Sequence, residues 1–121
     1  MREGRENHAC AARGNEVFVI GGEYRTHRGI DIWNGTMWTY ALGPIGGTYL
    51  KLFSHGKNLF LFGGHANGTD DMKQIWKIDE KYNFIRWGKT SLPRYNYALF
   101  SLTKDHLTNC KGIKNFFNYI I

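Results

Sequence analysis

Cysteine and proline are scarce in this 121-residue chain, two of each. Cys10 and Cys110 stand a hundred positions apart with no Cys-x-x-Cys between them, so neither a disulfide framework nor a cysteine metal module organises the fold. A Cys10–Cys110 bridge is allowed, but nothing in the sequence asks for it. No apolar stretch approaches the roughly 20 residues that a membrane-spanning helix needs. The opening Met-Arg-Glu-Gly-Arg-Glu-Asn-His is charged and lacks an apolar core, so it does not read as a signal peptide. A cytoplasmic location is the default expectation, and secretion would require a leader upstream.

Acidic residues are scarce in one region only. Residues 1–80 hold nine basic and nine acidic side chains, whereas from Lys81 onward seven basic residues face Asp105 alone, so the net charge of +6 belongs to the last third. A basic excess can mark nucleic-acid or anionic-membrane binding. Here the charges stand singly among apolar residues, with no run of four, and read as a solvated face. Neither a nucleic-acid nor a membrane partner is expected.

Catalytic signatures are also missing. His8, His27, His55, His65 and His106 include no pair at His-x-His or His-x-x-x-His spacing, so structural or surface roles outweigh metal binding. There is no Ser nucleophile elbow, and the pairs Gly21-Gly22, Gly46-Gly47 and Gly63-Gly64 lack the Lys-Ser/Thr of a phosphate loop. The chain reads as non-enzymatic, with no catalytic residue, metal or cofactor.

What the chain does have is large apolar side chains and a repeat. Aromatics make up 16% of it, too many for a disordered tail and enough for a small core. Glu16-Val17-Phe18-Val19-Ile20-Gly21-Gly22 and Asn58-Leu59-Phe60-Leu61-Phe62-Gly63-Gly64 each place four consecutive apolar residues before a glycine pair. Such runs predict strands buried on both faces. The glycines permit backbone angles or close approaches that a Cβ forbids.

Further strand patterns follow at Ile30–Trp33 and Ile75–Asp79, and then a tryptophan, Trp38 or Trp87. Asn34-Gly35 is a hairpin signal, and Glu80–Asn83 is its longer counterpart. Arg5-Glu6-Asn7-His8-Ala9 is similar to Arg94-Tyr95-Asn96-Tyr97-Ala98, and Gly47-Thr48-Tyr49-Leu50 takes the same place without the arginine. The glycine pairs are 42 residues apart and the two tryptophans 49 apart. The difference is assigned to a longer loop after Gly64, and variable loops on a constant frame are what repeats show. Asn34-Gly35-Thr36 and Asn67-Gly68-Thr69 are glycosylation sequons, but each is also an Asn-Gly turn, the reading preferred here.

These residues resemble the kelch repeat, a unit of about 50 residues. In that pattern a hydrophobic strand ends in Gly-Gly, the third strand carries an aromatic and the fourth a Trp. Gly21, Gly22, Trp33 and Trp38 supply one set, and Gly63, Gly64, Trp76 and Trp87 a second. The resemblance covers roughly residues 5–110 and implies an all-β fold of antiparallel four-stranded propeller blades. One blade would span 5–42, a second 43–92 and part of a third 93–112, with no structure assigned to the tail 113–121. The fourth-strand Trp would fill the wedge between blades.

Propellers close with four to eight blades, so the expectation is an incomplete propeller. It would be a piece of a larger protein or, if complete, a candidate for assembly with copies of itself. The resemblance further implies a protein-interaction module with an unidentified protein partner. Arg5, Arg25, Arg28 and Arg94 are candidates for a partner-binding rim, where Arg captures acidic side chains; the other reading is that Arg5 and Arg94 brace strands through backbone carbonyls. Sugar-processing enzymes, both sialic acid mutarotase-like and galactose oxidase-like, and actin-binding structural proteins share such propellers. Fold alone does not choose among them.

Overall fold

A computed structural model describes residues 1, 4–22, 29–44, 47–65 and 73–92. Arg25, Arg28, Asn67, Arg94, Cys110, the partial third blade and the tail lie outside the described residues. The described chain is all β, in eight strands. Strands β1 (Ala9–Arg13), β2 (Glu16–Ile20), β3 (Gly29–Trp33) and β4 (Trp38–Leu42) form one antiparallel sheet in sequential order. A second sheet is built the same way from β5 (Thr48–His55), β6 (Asn58–His65), β7 (Gln74–Ile78) and β8 (Phe84–Lys89).

The turns explain why these runs pair. Arg13 faces Glu16 across Gly14-Asn15, and His55 faces Asn58 across Gly56-Lys57. Each is a two-residue hairpin turn with glycine first, at φ +58° and +57°, a conformation that costs an L side chain energy and glycine none. The outer hairpins share another device. The Asn34 Oδ1 accepts the amides of Thr36 and Met37, and the Asp79 Oδ1 accepts those of Lys81 and Asn83. In both, the side chain takes the place of a backbone acceptor and closes the turn.

The two sheets pack face to face. Their shared core contains Phe18, Ile20, Ile30 and Ile32 from the first and Leu50, Leu59, Leu61 and Ile78 from the second, all at 3% exposure or less. Burying a side chain of this size stabilises by about 1.5–3 kcal/mol. Trp76 joins the core, with its Nε1 buried and without an acceptor among the described residues. At the tight-turn end the seam is closed by Arg13. Its Nη1 donates to the carbonyls of Ile78 (3.2 Å) and Asp79 (2.6 Å) of the other sheet. Its guanidinium lies over the rings of Phe18 and Tyr82, and the Tyr82 hydroxyl donates to Glu16.

Two expectations need correction. The apolar runs are buried on both faces only in part: Phe18, Val19 and Ile20 are all buried, but Val17 is 37% exposed, and Phe60 and Phe62 are partly exposed beside fully buried Leu59 and Leu61. Nor do Trp38 and Trp87 fill a wedge between sheets; they are 41% and 51% exposed. Trp38 packs on Trp33 at 5.5 Å, and Trp87 meets Phe60 edge-on at 5.7 Å, with the Lys77 ammonium 5.0 Å above its ring. The reason is the same for both. Among the described residues each sheet packs on one other sheet, so no second sheet covers Trp38 or Trp87, although Arg5 covers Val19 and Asp31 on the Trp38 face.

Candidate functional site: the glycine-pair end of the sheets

The strands turn tightly at one end and send out longer connections at the other. At the second end β2 runs into Gly21-Gly22, β4 crosses to β5, β6 ends at His65 and β8 at Lys89. The stretch containing Arg25 and Arg28 leaves from Gly22 and returns at Gly29 of this end.

The glycine pair holds this end together by close approach. A Cβ on Gly21 (φ +76°) would lie 2.6 Å from the Gly47 carbonyl oxygen and 2.8 Å from Leu50 Cδ1. A Cβ on Gly64 would lie 2.5 Å from the other Leu50 methyl. The two pairs therefore clasp Leu50, the fully buried side chain that opens the second sheet's core. The Gly22 amide donates to the Gly47 carbonyl (3.0 Å) and the Tyr49 amide to the Asn7 carbonyl (3.2 Å). Asn7 and Tyr49, 42 residues apart like the glycine pairs, both adopt left-handed backbone, at φ +55° and +59°. Asn tolerates that conformation; for Tyr it is uncommon and stores strain.

Arg5 lies inside this end. Its Nε (3.0 Å) and Nη2 (2.8 Å) donate to Asp31 Oδ2, and its Nη1 donates to the Gly21 carbonyl at 2.7 Å. The two side chains are 3% and 1% exposed. The guanidinium is thus spent on joining the N-terminal segment to β2 and β3, and it is not offered to a partner at a solvent-facing rim.

The ladders also re-align the aromatic positions. Val17 faces Trp33, which faces Trp38. The matching row of the second sheet is Leu59, Ile78 and Phe84. Trp76 pairs with Leu61 and so matches Asp31, which pairs with Val19. Trp87 is an extra residue at the bulge between the Trp76–Arg86 and Ile75–Gly88 pairs. Trp33 and Trp76 therefore occupy different ladder positions, as do Trp38 and Trp87. The 49-residue spacing combines a longer connection after Gly64, a five-residue turn at 79–83 where 34–37 has four, and the position of Trp87 three residues past Phe84, the ladder counterpart of Trp38.

Arg13 is a residue that reading the sequence missed. Its position beside a hairpin glycine was visible, but its carbonyl partners, 65 and 66 residues away, were not. Among the described residues no three His, Cys, Asp or Glu side chains gather as a metal site, and Cys10 is an exposed free thiol.

With two successive four-stranded sheets, each carrying Gly-Gly after its second strand, the comparison with known proteins falls on one repeat type. The chain is 33% identical over 82 residues to Kelch domain-containing protein 2 of Bos taurus, a match that covers 60% of this chain. It spans 20% of that relative's length. No protein-family model matches the chain.

Proposed function

We propose that the two kelch-like blades belong to a protein-interaction module whose partner surface is the glycine-pair end. The observation that carries this reading is the asymmetry between strand ends. All four turns at the Arg13 end are short and locally closed, whereas the opposite end bears the longer connections. Loops on a rigid frame are where binding residues gather. With Arg5 engaged by Asp31, the candidate rim arginines left for capture of an acidic segment are Arg25 and Arg28, between Gly22 and Gly29 in the chain, and Arg94, which follows β8 in the chain. The similarity to a kelch domain-containing protein supports a repeat module over a self-contained enzyme.

The test is a binding titration of the purified chain against acidic and charge-reversed peptide libraries. Arg25→Ala/Arg28→Ala should weaken binding of acidic peptides at least tenfold while the circular dichroism stays unchanged. Equal binding by the double variant, or no preference for acidic peptides, would remove this surface from the reading.

A further inference from the structure

The seam inside this chain is a template for a second seam outside it. Within the chain, Phe18 and Ile20 of β2 meet the face of the second sheet that carries Leu59, Leu61 and Ile78. A shift of 42 residues, the spacing of the glycine pairs, converts Phe18 into Phe60 and Ile20 into Phe62. Those two side chains are partly exposed on the outer face of the second sheet, Phe60 in one row with Lys77 and Ile85 and beside Trp87, and Phe62 in a row with Ile75. The reverse shift converts Leu59 and Leu61 into Val17 and Val19 on the outer face of the first sheet, where Val17 is 37% exposed and Val19, beside the Arg5–Asp31 pair, is buried. There Val17, Trp33 and Trp38 line a shallow hollow of about 250 Å³, almost wholly apolar. In the ladder this hollow stands where Leu59, Ile78 and Phe84 stand within the internal seam. The exposed Val17–Trp33–Trp38 row and the Phe60 face are therefore counterparts of the two halves of the interface the molecule already makes, on opposite sides of one chain, while the adjoining Val19–Asp31 row is covered by Arg5.

We propose that this chain associates head to tail with a second copy of itself, the Phe60 face of one copy packing on the Val17–Trp33–Trp38 face of the next. The contact is heterologous: each copy uses two different surfaces, so association continues past the dimer into a ring or an open stack of blades. The driving force is the burial of two aromatic faces, patches of a kind that soluble monomers rarely leave open. The proposal is independent of the loop-end surface, because neither face includes that end.

The test is sedimentation velocity of the full chain over a rising concentration series, with two variants at exposed positions, Val17→Glu and Trp87→Glu. Wild type should grow in mass with concentration beyond two copies. Each variant alone should remain monomeric, because every contact needs one face of each kind. An equimolar mixture of the two should form 1:1 dimers through the remaining intact faces. Where either variant loses its native circular dichroism, Tyr40→Glu or Ile85→Glu, exposed on the corresponding face, takes its place. A monomeric wild type throughout, a variant that still associates alone, or a mixture that stays monomeric would each overturn the proposal.

Discussion

The two blades solve one packing problem in two ways. In the first, Asp31 sits opposite Val19 and is joined to Arg5 by an almost fully buried ion pair in which two guanidinium N–H groups donate to one carboxylate oxygen. In the second, the matching ladder position is Trp76 opposite Leu61, and the residue 42 positions after Arg5 is Gly47. One blade thus carries two compensating charges where the other carries a large ring and no side chain. A β-ladder sets only the register and the face; charge or hydrocarbon can both occupy a position, provided that polar atoms find partners. The charged solution is complete, whereas the Trp76 Nε1 lacks an acceptor among the described residues.

Breaking the ion pair should have the largest effect. Arg5→Met leaves Asp31 buried without its partner and should cost about 3–5 kcal/mol, read from the urea midpoint. Adding Asp31→Leu should recover much of that loss, because an apolar pair at such a site is often neutral. A double variant no more stable than the single one would mean that the two blades are not interchangeable here.

The second contrast compares Phe18 with Phe60, which occupy equivalent positions on the second strand of each blade. Phe18→Ala, in the seam, should cost about 3–5 kcal/mol. Phe60→Ala, on an open face, should cost about 1 kcal/mol under dilute conditions. Equal losses would show that both faces are covered in solution.

The smallest expected effect concerns the Arg13 end, which the first blade shares with the turn of the second. Donation to Glu16, with some help from burial, raises the Tyr82 phenol above its usual value of 10. A folded pKa above the unfolded one means that this contribution is full below pH 10 and is lost as pH rises through the folded value. The stability advantage of wild type over Tyr82→Phe should therefore persist at pH 8 and disappear in strongly alkaline buffer, as followed by urea titration. An advantage unchanged with pH would detach Tyr82 from Glu16.

Much of this frame was legible in the chain because its signals are local. A glycine pair after four apolar residues marks a strand end, Gly14 and Gly56 mark hairpins, and the 42-residue offset aligns Asn7 with Tyr49, which share left-handed backbone. The tryptophans misled because Trp-to-Trp spacing assumes equal connections and matching ladder positions, whereas Trp87 stands three residues past Phe84, the counterpart of Trp38. The fate of Arg5 was undecidable for a different reason: its carboxylate partner is 26 residues away and becomes a neighbour only when β3 joins β2.

The amino-acid sequence by itself determined the strands, their turns and their repetition, since backbone preference and alternation act over a few residues. The tertiary structure decided which face of each strand is dry, which arginine is a brace and which tryptophan is open to solvent. These depend on what stands across a seam from each side chain. Only the packing of one sheet on the other supplies that neighbour.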